Sequence, residues 1–406
     1  MNQPLRKTIL LAGLATTTLL AACGGGGGDG GSPAQTNGTL SVSLTDAPAC
    51  GFDEVNVTVQ KVRVHQSASA GENDGGWTDI VLNPARKINL LDLTNGALEE
   101  LGQTPLAAGH YTQLRLVLDP NTGAGLANSV VLSTEPANGT EIPLETPSAV
   151  QSGIKLINGF DVAPGERVDL VLDFDACKSI VARGNGKFGL KPVVQVIPTV
   201  LNGISGYIDP ALLDDKVMVS AQQDGNVVRA TVPNPATGEF FLARMEPGNY
   251  DVVITADAHA AAVVAAVPVA SPTATVSLST PAAPLALQPA VEPEGAISGA
   301  VTLPAGSSDL ALVAAQQTFA SGPRVTVKYQ GVEAGGAYLL SRLPTAAPHL
   351  ARYSGVLPLT FTVPANTTPG AGKYAVQASV EGLAPKVVSP VDLTTGDKMD
   401  VDFILP

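Results

Sequence analysis

The sequence predicts an all-β protein, three antiparallel β-sandwich modules behind an export signal and a glycine-rich tether. Three observations carry that expectation. Apolar and polar residues alternate with period two, the spacing of a half-buried strand and not of a helix. Turn formers punctuate the alternation: 42 glycines and 32 prolines stand among 406 residues. Short segments in the second half of the chain recur in the same order, which marks repeated units.

The N-terminus explains its own oddity. Arg6 and Lys7 precede an apolar stretch, Ile9 to Leu20, laid out as a secretory signal and too short to span a bilayer comfortably as a helix. The run stops at Cys23, and five glycines follow. Leu20-Ala21-Ala22-Cys23 resembles the lipobox of bacterial lipoproteins, in which the signal is cut before the cysteine and lipid is attached to its sulfur and new amine. That resemblance implies a signal peptide over 1–22, a diacylglycerol- and fatty-acyl-bearing (palmitate-type) Cys23, and a tether over 23–37. A Gly-rich tether of that length reaches roughly 20 Å, and two or three acyl chains hold stably where one is marginal. Gly24 in place of an aspartate after the anchor resembles the pattern exported to the outer membrane of Gram-negative bacteria. An ordinary signal peptide with a chance cysteine is the alternative.

Charge excludes one class of partner. The formal balance is −13, and it becomes −15 once residues 1–22, which hold Arg6 and Lys7 and no acid, are removed. An acidic chain without a basic cluster does not suit nucleic acid, whose phosphates need lysine and arginine. Nor is it drawn to anionic lipid, so the expected membrane contact is the lipid anchor alone.

Along the body, Leu40, Val42 and Leu44 alternate with polar residues, as do Val55, Val57 and Val59. Val62 and Val64 resume that pattern after a one-residue slip at Gln60-Lys61, which reads as a bulge. Leu114, Leu116 and Leu118 make a third strand, and Val168, Leu170, Leu172 and Phe174 a fourth. One or two helical turns are expected around Ala97 to Leu101. The stretch Leu44-Thr45-Asp46-Ala47-Pro48, then Phe52-Asp53-Glu54-Val55, resembles the opening of the family DUF4382. Gly76-Trp77, Asn89-Leu90-Leu91-Asp92-Leu93, Ala108-Gly109-His110-Tyr111, Lys178-Ser179-Ile180-Val181 and Leu190-Lys191-Pro192-Val193 follow in that family's order. The resemblance covers 38–200 and implies an exported bacterial β-domain; no activity is established for the family, so it brings no catalytic residues.

The remainder repeats. Ile204-Ser-Gly206 returns as Ile297-Ser-Gly299, and Val219 to Gln223 as Val313 to Gln317. Gly238 to Met245 returns as Gly336 to Leu343, and Gly248-Asn-Tyr250 as Gly372-Lys-Tyr374. The offsets are 93, 94, 98 and 124, so 26 extra residues lie between Leu343 and Gly372. This grammar is similar to carboxypeptidase regulatory-like (transthyretin-like) sandwiches, implying modules at 203–289 and 295–406, the second with an insertion at about 344–371. The Pro/Ala-rich stretch Pro281 to Glu294 between them is expected to be extended and unpacked.

Chemistry is sparse. His65, His110, His259 and His349 show no metal-ligand spacing, and no nucleophile elbow or C-x-x-C occurs. Trp77, the single tryptophan, reads as core packing, as a sugar-stacking platform, or as a partly buried hinge residue. With Cys23 lipidated, Cys50 and Cys177 are an even pair, a disulfide in an oxidising compartment or two buried free thiols. A bridge would gather Asp46, Asp53, Glu54, Asp173 and Asp175 at one end of the first module. Those carboxylates either fan into water and cap turns or share a Ca²⁺ ion. The expected role is therefore non-catalytic: an outer-membrane-anchored lipoprotein that binds or scaffolds, with an unidentified protein or glycan as ligand. An exported hydrolase with a scattered site and a purely structural spacer are the rival readings.

Overall fold

The computed structural model describes residues 37–47, 51–122, 125–133, 139–156, 159–183, 185–197, 202–290, 293–307, 309–362 and 367–406. The segment expected to be signal peptide, the expected tether up to residue 36, Cys23 and Cys50 lie outside them. From Thr36 to Pro406 the chain is one compact unit whose regular secondary structure is almost entirely strand, with three main hydrophobic clusters. Among the described residues no helix is long and apolar enough to cross a membrane.

The first cluster lies between a four-stranded and an eight-stranded sheet. Asn37–Ala47 sits inside the smaller sheet, flanked by Arg167–Asp175 and Glu99–Ala107. Its alternating Leu40, Val42 and Leu44 are fully buried, as the period-two pattern requires. Val55, Val57, Val59, Val62 and Val64 are buried on Phe52–His65. That strand's register shifts against Thr78–Asn89 and Gln113–Leu118 between Val59 and Lys61, where the apolar phase slips. The bulge is where the sequence puts it.

Two expectations fail here. Asn37–Ala47 pairs parallel, not antiparallel, with Arg167–Asp175, residue 39 opposite 167 through 47 opposite 175. The long intervening chain imposes no hairpin, so a parallel pairing is open to it. Residues 97–101 form no helix: Glu99–Ala107 is a strand, and the helical turn is Leu90–Leu93, where the Asn89 side chain accepts from the Leu91 N–H. Antiparallel pairing with Asn37–Ala47 buries Leu101 and Leu106, a tertiary gain that outweighs local preference.

The two repeats share one wiring. In the first, Glu239–Ala243, Gly203–Tyr207 and Thr275–Ser277 form one sheet, and Asn226–Thr231, Met218–Gln223, Gly248–Thr255 and Ala262–Val269 the other. In the second, Ala337–Leu343, Gly295–Thr302 and Phe403–Ile404 correspond to the first trio, and Arg324–Glu333, Leu310–Phe319, Lys373–Ser379 and Lys386–Asp392 to the four. Bulges fall at matching places, Ala221/Gln222 with Ala315/Gln316 and Tyr250/Val252 with Tyr374/Val376. The stretch expected to be an unpacked bridge is extended but packed: Leu285 and Leu287 are buried, and the Leu285 N–H donates to the Tyr207 carbonyl. Its leucines have a core to join.

The insertion does not stay within its own module. His349–Arg352 pairs parallel with Ala262–Val269 and becomes the fifth strand of the first repeat's larger sheet. Tyr353, Leu359 and Phe361 pack on that repeat's core. The edge strand of one module is thus covered by chain from the next, which removes an unpaired hydrogen-bonding edge.

Candidate functional site

The three modules meet around the helical turn Ala176–Ser179. Arg167–Asp175 ends there because the Asp175 side chain accepts from the Lys178 N–H and caps the turn. Cys177 is thereby turned off the strand, so it does not continue the face of Asp173 and Asp175, as a strand reading would have it. Cys177, Tyr329 and Ala314 form a small buried cluster with Met218, Val227 and Leu312, residues of all three modules. The approach is close: a Cβ on Gly331 would overlap the Lys178 carbonyl.

At the acidic end of the first module one carboxylate, Asp173, is neutralised from outside the module. Asp173 is 7% exposed and pairs with Arg229 of the first repeat. Burial raises its carboxyl above the usual value, and Arg229 draws it part of the way back. Asp175 pairs with Lys178 at 2.8 Å, and Asp46 accepts from the Ala176 N–H. Asp53 accepts from the Ser133 hydroxyl and Glu54 from the Asn56 amide, on the other sheet. Of the two readings of these five acids, their positions support dispersed side chains with separate partners rather than a shared Ca²⁺ ion. Among the described residues no three carboxylates, thiols or imidazoles could hold a metal, and Arg229 and Lys178 supply the positive charge. A cavity of about 10 Å³ bordered by Asp46, Asp173, Arg229 and Arg244 has room for about one water.

Residues that sequence reasoning passed over build the junction. Asn95, in an Asn-Gly turn with φ 58°, donates to the Val232 carbonyl and accepts from the Phe241 N–H. Gln222 and Thr326 exchange amide–backbone hydrogen bonds of 2.7 and 2.8 Å between the repeats. Arg183 and Lys191 of the first module pair with Glu333 of the second repeat. The one legible signal was the Asn95-Gly96 dipeptide, a turn former.

These contacts leave a cleft of about 1510 Å³ walled by all three modules. Leu91, Phe241 and Leu339 give it apolar surface, and Asp53, Asp92 and Asp257 line it with Lys216, Lys328 and Arg342. It exceeds the usual volume of a small-molecule site and mixes apolar walls with a few charged groups, as binding clefts do. The histidines offer no acid–base pair there. His110 faces solvent and pairs with Asp161, and His65 packs on Trp77. Trp77 is partly buried with Arg63 and Arg115 at 4.8 and 4.9 Å from its ring, so it is no open sugar platform.

No curated protein matches the chain. Among solved structures it is similar to the Bacillus anthracis TIE protein, at 11% identity and TM-score 0.15, over 91% of this chain and 50% of that one. The chain thus spans about half the length of that protein. It is also similar to a streptococcal ancillary pilin, at 10% identity and TM-score 0.16, over 91% and 99%. The Bacillus cereus major pilin subunit BcpA follows at 12% and 0.14, over 91% and 99%. A likeness of that size carries nothing about function. Residues 37–192, the first module, match the family described as domain of unknown function DUF4382.

Proposed function

We propose that this is a lipid-anchored envelope protein without catalysis of its own, whose work is to bind a ligand in the cleft where its three modules meet. The observation that carries the reading is the cleft itself, walled by residues of every module. The anchor reading rests on the lipobox-like Leu20 to Cys23 and the glycines after it. The outer membrane is its expected location. The repeats are read as transthyretin-like sandwiches, supported by their common strand order.

A Cys50–Cys177 disulfide belongs to the same proposal. Ala47 lies opposite Asp175 on adjacent parallel strands, so the two cysteines follow by three and two residues from a paired position. Gly51, next to Cys50 in sequence, and Cys177 border the same cleft. Closing so long a loop contributes about 2–4 kcal/mol. Reduction is expected to lower the melting temperature, and linked peptides carrying Cys50 and Cys177 should be found by mass spectrometry.

Two variants test the function. Cys23→Ala should release the protein from membranes and abolish uptake of labelled fatty acid; an unmutated protein that takes up no label ends the anchor reading. Ser341→Trp fills an exposed position on the cleft wall without changing charge. It should abolish capture of envelope glycan or protein by the immobilised chain, and undiminished capture would move the binding site elsewhere.

A further inference from the structure

Lys328 stands on Arg324–Glu333 beside the bulge, opposite Ala315, partly buried on the cleft wall. Its two cationic neighbours have partners. Lys216 donates to the Ser133 carbonyl at 2.7 Å, and Arg342 pairs with Asp257. Lys328 has none: among the described residues no carboxylate lies within ion-pair distance of its amine, and no acceptor takes a hydrogen bond from it. The carboxylates whose charge reaches it, Asp257 and Glu294, are engaged by Arg342 and by the Ala258 N–H. In a chain with 36 acids for 23 cations, an amine without a contacting acid on the wall of this cleft is not for want of acids.

An ammonium taken from water without a carboxylate in contact is costly; Asp257 and Glu294 offset part of that cost from a distance, and the weaker fields of Arg342 and Lys216 add repulsion. Both burdens lower its proton affinity, and both are relieved by an arriving anion. Asp53, Asp92 and Asp257 on the same walls disfavour a polyanion. A single negative charge on a largely uncharged body fits the balance, with Leu91, Leu213, Phe241 and Leu339 to cover that body.

We propose that Lys328, flanked by Lys216 and Arg342, is the anion-binding centre of the junction cleft and receives the carboxylate of a ligand whose remaining surface is mainly apolar. This rests on the cleft being the binding site and adds the class of ligand. The test uses the full chain with phenylbutyrate as probe, its uncharged amide phenylbutyramide as control, and inorganic phosphate as the other oxyanion. Acetylation of individual lysine amines is followed by mass spectrometry. Phenylbutyrate at tens of millimolar is expected to slow acetylation of Lys328 and leave exposed Lys386 unchanged, while phenylbutyramide protects neither. In Lys328→Gln, phenylbutyrate binding by calorimetry should weaken at least about tenfold, the loss expected for a charge-assisted hydrogen bond. Absence of protection, equal protection by the amide, or stronger protection by phosphate overturns the proposal. Ser341→Trp separates the two readings. If it abolishes envelope capture while Lys328→Gln leaves capture intact, the cleft stands and the carboxylate inference falls; if neither variant affects capture, both fall.

Discussion

The two repeats close the same corner over very different lengths of chain. In the first, the Tyr250 hydroxyl donates to the Glu246 carbonyl four residues back, at 2.7 Å. In the second, the Tyr374 hydroxyl donates to the Pro344 carbonyl at 2.6 Å, across thirty residues. Glu246 and Pro344 hold the same place in the repeat, as do Tyr250 and Tyr374, so one hydrogen bond survives the insertion. Its strand framework is otherwise intact: Ile204, Val219, Phe240 and Val252, and their counterparts Ile297, Val313, Tyr338 and Val376, are all 2% exposed or less. Lengthening a loop that much costs only about 2 kcal/mol, some three doublings at about 0.6 kcal/mol each. The added strand and its apolar contacts on the neighbouring module offset a cost of that size. A module can therefore gain a long excursion at this corner and use it to hold the next module.

The largest expected effect breaks that excursion. Replacing 345–371 by a short turn like the one before Tyr250 should leave the second repeat folded. The first repeat should lose about 3 kcal/mol or more through exposure of the surface under Tyr353, Leu359 and Phe361. Denaturant unfolding reads the loss, and light scattering should show association through the uncovered Ala262–Val269 edge. Equal destabilisation of both repeats would contradict the division of labour.

Arg244 and Arg342 sharpen the comparison. They occupy one repeat position with the same left-handed backbone, φ 56° and 55°. Arg244 is buried and donates to the Gly96 carbonyl of the first module, whereas Arg342 is exposed and pairs with Asp257. Arg244→Ala should cost about 2 kcal/mol in thermal unfolding, and Arg342→Ala about 0.5 kcal/mol. Next in size, Tyr374→Phe should cost about 1.5 kcal/mol and Tyr250→Phe about 1 kcal/mol, because each orphans a carbonyl and only the first also frees a long loop.

The smallest effect is with acid and concerns the second repeat alone. The Thr394 hydroxyl, the Lys373 amine and the Thr394 N–H hold the Asp392 carboxyl down to about 2. A depressed carboxyl contributes stability above its unfolded value of 3.8 and loses it as pH falls toward about 2. Over that range amide exchange at Leu393–Thr395 should speed up in the native chain and not further in Asp392→Asn.

Much of this was legible. Leu40 to Leu44, the Gln60-Lys61 slip and the repeat offsets are local patterns, and each maps directly onto a strand, a bulge or a matching sheet. The parallel pairing of Asn37–Ala47 with Arg167–Asp175 left no such mark, since alternation is the same for either direction. The Glu99–Ala107 strand was hidden because its partner decides its state. The site was the least legible part. Arg229, Asn95 and Lys328 are ordinary polar residues in sequence, and they gain meaning only when three modules bring them against Asp173, Phe241 and the cleft. The acids were visible; Lys178 stands close to Asp175 in sequence, but Arg229, which answers Asp173, lies 56 residues from it.

Ligand binding in the cleft requires the three modules to be docked as one body, because a cleft between independently moving modules is no fixed site. Scanning calorimetry of the full chain, alongside Arg229→Met, tests this directly. The native protein is expected to melt in a single transition. Leaving Asp173 buried without its partner should cost about 3–5 kcal/mol and split the first module from the repeats into separate transitions. Separate transitions in the native protein, unchanged by Arg229→Met, would contradict it.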